Sequence, residues 1–149
     1  MTKAAKLTRL LLVLAAAPCA LLLAGCGESE SEKFDKAKAE VCKSRSAIEK
    51  QVESLKSLPL SVGSVTSAQK SLEAIEQELK KIKEEAPKLK PETKTQVEKS
   101  TSEFTGEVTK IAETLGTTLT PSNVVKEVEA ATKKLLSSYE ATLKTLSCS

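Results

Sequence analysis

The sequence predicts an all-α fold: an antiparallel up-down-up-down four-helix bundle that follows a short N-terminal apolar segment. Three observations predict it. After residue 33, apolar residues recur at steps of three and four in four separate stretches, the period of one buried helix face. Pro59, Gly63, Pro87, Pro91, Gly116 and Pro121 fall between those stretches or at their edges. The connections are short, which favours antiparallel neighbours.

Residues 1–25 have the three parts of a secretory signal. Lys3, Lys6 and Arg9 supply a positive start, and Leu10 to Leu23 an apolar run interrupted by Pro18. Ala24-Gly25 gives the small residues a signal peptidase needs. The apolar run has 14 residues, short of the ~20 that span a bilayer as a helix. Its end, Leu23-Ala24-Gly25-Cys26, resembles the lipobox of bacterial lipoproteins. The resemblance implies cleavage between Gly25 and Cys26. It also implies a diacylglyceryl thioether on Cys26, often with a third, palmitate-type chain on its amine. The bland alternatives are an ordinary cleaved signal or an uncleaved anchor. Each buried CH₂ contributes about 0.8 kcal/mol, so one chain holds marginally and two or three hold stably. The expected address is extracytoplasmic, on the cell membrane or on an outer membrane where the cell has one.

Residues 26–32 are then the lipidated cysteine and a tether, since Gly27-Glu28-Ser29-Glu30-Ser31-Glu32 is small and polar. Residues 33–149 form the bundle domain. The first helix carries Phe34, Ala37, Val41, Ile48, Val52 and Leu55, with Ser44 or Arg45 at the gap. It stops near Leu58-Pro59, because the residue before a proline is pushed out of the α region. Ser64 or Thr66 is placed to cap the second helix. That helix carries the cleanest heptad in the chain: Val65, Ala68, Leu72, Ile75, Leu79, Ile82 and Ala86.

Pro87 and Pro91 bracket a turn, and Pro91 suits the first position of the third helix. Its stripe is Val97, Thr101, Phe104, Val108, Ile111 and Leu115, with Gly116 as the expected residue just past its end. Thr120-Pro121 opens the fourth helix as cap and first residue. The fourth stripe is Val124, Val128, Ala131, Leu135, Tyr139, Thr142 and Leu146, running to about Ser147. Leu60-Ser61…Val65 faintly resembles Leu119-Thr120…Val124, which hints at two related hairpins.

Charge and cysteines narrow the function. The formal net charge is +3, from 23 basic and 20 acidic residues. The leader holds three of the basic residues and none of the acidic ones, so cleavage leaves 20 of each. A neutral chain whose only arginine past the leader is Arg45 is poorly built for nucleic acid. Its lysines and glutamates read as a solvated helical surface, with i,i+4 pairs such as Glu129–Lys133.

Four cysteines have three fates. Cys19 leaves with the leader, and Cys26 takes lipid. Cys42 and Cys148 remain, and in an oxidising compartment two such cysteines most often pair. Free thiols or an intermolecular bridge are the alternatives. A Cys42–Cys148 bond closes a loop of roughly 107 residues, for which chain entropy gives about 4.7 kcal/mol. It fits the topology if residues 33–41 project past the bundle toward the tether.

No histidine is present, which removes Ser-His-Asp and Cys-His constellations, HExxH zinc sites and Glu-x-x-His di-iron pairs. Asp35 is the only aspartate, and no Gly-rich phosphate loop exists. Glu84-Glu85 and Glu73-Glu76 are the remaining carboxylate clusters, and a solvated face is the simpler reading of both. Tyr139 reads as a boundary residue with its hydroxyl near the surface. No catalytic residue, metal site or cofactor is expected. The expectation is a non-enzymatic, lipid-anchored envelope protein with a structural or protein-binding role. Its partners are the membrane, through Cys26, and an unknown envelope protein or itself through a coiled coil. A small-ligand or lipid-binding module is the alternative.

Overall fold

The computed structural model describes residues 29–59, 61, 63–117 and 123–148. Residues 1–28, among them the expected signal segment with Gly25 and the expected lipidation site Cys26, lie outside the described residues. So do Thr120, Pro121, and Leu60 and Leu119 of the faint repeat. Among the described residues the regular structure is entirely helical, with four α-helices and no strand. They are α1 (Glu30–Lys56), α2 (Ser64–Glu85), α3 (Pro91–Thr117) and α4 (Val124–Ala141). Two short 3₁₀ turns, Ala86–Lys88 and Leu143–Thr145, follow α2 and α4.

α1 starts earlier than composition suggests. The Ser29 hydroxyl accepts from the Glu32 backbone N–H at 3.2 Å, and the Glu32 carboxylate accepts from the Ser29 N–H at 2.8 Å. This reciprocal capping box satisfies two backbone donors that a helix start would otherwise orphan. Glu30, Ser31 and Glu32, assigned to the tether by their polarity, are therefore the first turn of α1. The helix ends at Lys56 with Ser57 as its cap, two residues before Pro59.

α2 begins on Ser64 itself, with Gly63 at the cap position and no side-chain cap bond. Neither Ser64 nor Thr66 caps it. The Ser64 hydroxyl instead donates to the Pro59 carbonyl and meets the Ser61 hydroxyl, tying the helix start back to the preceding turn. α3 starts at Pro91 as expected, but Gly116 lies inside the helix rather than past its end. α4 stops at Ala141, short of Ser147: Thr142 leaves the helical region at φ −117°, ψ −84°, and a 3₁₀ turn follows.

Each helix lies against the next, and α4 returns to α1, giving a bundle-like fold around one core. The predicted stripes supply that core. Ile48, Ile75, Ile82, Phe104 and Val108 are essentially inaccessible, and so is Leu143, which lies beside the fourth stripe. Full burial of such a side chain is worth about 1.5–3 kcal/mol. Ser44 fills the gap in the α1 stripe: it is buried and its hydroxyl bonds the Glu78 carboxylate of α2. Ala37 and Val41 are also buried, so residues 33–41 belong to the bundle and do not project past it. Leu89, between the two prolines, joins the core as well.

One part of the described interior is closely filled. The void among Leu55, Leu72, Ile111, Leu115, Val128 and Leu135 is about 10 Å³, and a single water needs roughly 10–15 Å³.

Candidate functional site

The two described cysteines form one bond. Cys42 on α1 and Cys148 are joined, with sulfurs 2.08 Å apart and Cα atoms 5.5 Å apart. The Cα separation falls in the ordinary range for a disulfide. α1 presents Arg45 one turn after Cys42, and its Nη1 donates to the Leu146 carbonyl at 2.8 Å. The chain end after α4 is thus held to α1 at two points, one covalent and one a charge-assisted hydrogen bond. Beneath them Leu143 and Leu146 are buried. A shallow cleft of about 170 Å³ runs beside the disulfide, lined by Lys38, Leu89, Thr93, Gln96 and Ser147.

Tyr139 sits deeper than its sequence suggests. It is 3 % exposed, and its ring meets Phe104 edge-on at 6.0 Å and 69°. Its hydroxyl is buried without a hydrogen bond of regular geometry, which corrects the expectation of a surface-facing tip. Burial pushes the phenol up to about 12, the Glu49 carboxylate adds to the rise, and Arg45 opposes it. The Arg45 Nε and the Thr101 hydroxyl are likewise buried and unpaired. The fourth stripe includes position 139 and so places the ring on the core face, but the helical period says nothing of where the hydroxyl goes. α4 simply turns position 139 straight at the core, opposite Phe104.

A second feature lies at the start of α1. Phe34 heads the predicted core stripe, yet it is only half-buried. With Ala37 it forms the floor of an open cavity of about 460 Å³. Lys33 and Lys36 of α1 and Lys88 of the 3₁₀ turn stand on its rim. Glu30 and Glu85 complete it, and Glu85 pairs with Lys88 at 2.7 Å.

Three glutamates are held as carboxylates by neighbouring lysines. Burial pushes Glu78 up, but hydrogen bonds from Lys81 and Ser44 outweigh this and hold it below the usual range. Lys134 and Lys110 hold Glu107 low, and Lys133 does the same for Glu129. The Lys134–Glu107 pair, at 2.9 Å, also ties α4 to α3. Each shift leads away from neutrality, the opposite of what a general acid at pH 7 needs. Glu73, Glu76 and Glu84 are exposed. Among the described residues no group of three His, Cys, Asp or Glu side chains is placed to hold a metal ion. No described helix is long and apolar enough to cross a membrane.

No family model, curated protein or solved structure matches the chain.

Proposed function

We propose that this is a lipid-anchored cell-envelope protein with a non-enzymatic, structural or protein-binding role. In this reading residues 1–25 are the signal, cleavage falls between Gly25 and Cys26, and lipid on Cys26 holds the domain outside the cell. The observation that carries it is the Cys42–Cys148 disulfide. Such bonds persist in oxidising compartments, where a lipobox would deliver the domain. We further infer an up-down-up-down arrangement. It is supported by Glu30 and Ala37 sharing a cavity with Glu85 and Lys88, while Leu55 meets Ala68, Leu115 and Val128.

The void of about 10 Å³ among Leu55, Leu72, Ile111 and Leu135 leaves no room for a small ligand between those side chains. Mixed lysine and glutamate faces without a dominant sign favour contact with a protein or a second copy over nucleic acid. Metabolic palmitate labelling of wild type and Cys26→Ser tests the anchor: label disappears in the variant, and persisting label refutes lipidation there. Crosslinking in cells followed by pulldown tests the role. A reproducible envelope protein or a self-crosslink is expected. Recovery of neither, with an intact envelope on deletion, overturns it.

A further inference from the structure

We propose that the end of the bundle built from the first turns of α1 and the Ala86–Lys88 turn rests on the bilayer surface. Phe34 sits in the interfacial layer, and Lys33, Lys36 and Lys88 meet lipid phosphates. This rests on the lipid-anchor reading.

Three observations converge on that surface. The first is Phe34 itself. Of the two phenylalanines, Phe104 is fully buried, while Phe34 is half-exposed on an open cavity. Phe34 is the large apolar side chain that lines this open cavity, and the reach and the rim say what covers it.

The second is reach. Ser29 caps α1 only three residues after Cys26. A fully extended chain covers about 3.3–3.6 Å per residue, so their Cα atoms lie at most about 11 Å apart. Phe34 is five residues further on, about 8 Å along the helix. Had residues 27–32 all been tether, the domain would have swung free. The capping box removes that freedom and keeps this end of α1 beside the headgroups.

The third is the rim. Lysine stems lie along apolar surface while their ammonium groups reach water or phosphate. Lys33 and Lys36 flank Phe34 in sequence, and Lys88, paired with Glu85 at 2.7 Å, lines the same cavity. Glu30 and Glu85 keep the net charge small, so long-range attraction is not required of this patch. A short tether supplies an effective concentration of order millimolar, and a weak surface contact is then engaged most of the time. The cavity opens outward, which suits a bilayer surface better than a retracted acyl chain.

The test uses the full lipidated chain reconstituted in vesicles of equal parts phosphatidylcholine and phosphatidylglycerol with brominated acyl chains. The sequence has no tryptophan, so Phe34→Trp and Ser57→Trp each place one reporter, at opposite ends of α1. Mass measurement first establishes the lipid on Cys26; an unlipidated cysteine overturns the anchor reading itself. With lipid present, Phe34→Trp is expected to be quenched severalfold more than Ser57→Trp. Replacing Lys33, Lys36 and Lys88 with Glu in the Phe34→Trp chain should reduce that quenching. Equal quenching of the two reporters overturns the docking while the anchor stands. A blue-shifted but unquenched Phe34→Trp also overturns it, by placing the chain's own acyl group in the cavity. Quenching unchanged by the lysine replacements removes the phosphate contacts.

Discussion

Tyr139 shows how one side chain departs from what its position in the sequence suggests. A tyrosine at the boundary of a core ordinarily keeps its hydroxyl wet. Here the ring packs on Phe104, and the hydroxyl is buried with no regular partner. A buried polar group left unpaired costs about 1–3 kcal/mol. Tyr139→Phe keeps the ring contact and removes the orphan. Chemical denaturation near pH 7 is therefore expected to show the variant equal to wild type or more stable by up to about 1 kcal/mol. A loss of more than that would reveal a hydrogen bond to Glu49. The same site sets a pH dependence. The phenol is pushed up to about 12 in the fold, above the ~10 of an unfolded chain. Between those values the unfolded state has lost a proton that the native state keeps. Stability is thus fully present below about pH 10 and falls as pH rises toward 12, by at most about 1.4 kcal/mol per pH unit. Lysine titration affects both proteins alike. The stability gap between Tyr139→Phe and wild type should widen from about pH 9 to about pH 11.5, and a constant gap would refute the assignment.

At the scale of elements, the stripes were legible because burial follows the helical period whatever the partner. Every predicted stripe position of α3 from Val97 to Leu115 is buried. Ends were less legible, because they depend on capping geometry that several residues satisfy equally well on paper. Ser29 wins the start of α1 by pairing with Glu32, a signal that sits in plain view as Ser-x-x-Glu. Gly116 departs from expectation because a glycine near a stripe's end suits a C′ position, whereas the helix runs through it to Thr117. Gly106, on the exposed side of α3, lies inside the helix, and a Cβ added there would meet nothing within 4 Å. A helical glycine costs about 0.8–1 kcal/mol relative to alanine. Gly106→Ala is expected to raise the unfolding free energy by about 0.5–1 kcal/mol, seen as a higher thermal midpoint. A lowered midpoint would mean that this outer face is covered by a second chain, since the single chain leaves it open.

For the whole molecule, the disulfide was legible by elimination, but its partner in the clamp was not. Arg45 attracts notice in the sequence only as the one arginine after Arg9, and its bond to the Leu146 carbonyl depends on α4 ending early enough for the chain to turn back. The two contacts act on different states. The Cys42–Cys148 bond spans a separation of 106 residues, and chain entropy assigns such a loop about 4.7 kcal/mol, acting mainly on the unfolded chain. The Arg45 bond acts on the native state alone. Removing the disulfide with Cys42→Ala and Cys148→Ala together should therefore lower the unfolding free energy by about 3–5 kcal/mol, a large share of a typical 5–15 kcal/mol. The steepness of the denaturant transition should rise, because the unfolded chain exposes more surface once the loop is opened. Native-state amide exchange separates the two effects. If the bond works through the unfolded state, protection in α1, α2 and α3 falls uniformly with the global stability. Under the same condition Thr142, Thr145 and Leu146 stay ordered on the Arg45 clamp and open no sooner than the rest. Selective opening of residues 142–148 at unchanged global stability would reverse the assignment. The disulfide would then be a latch on the chain end, and the helical core would be self-sufficient without it.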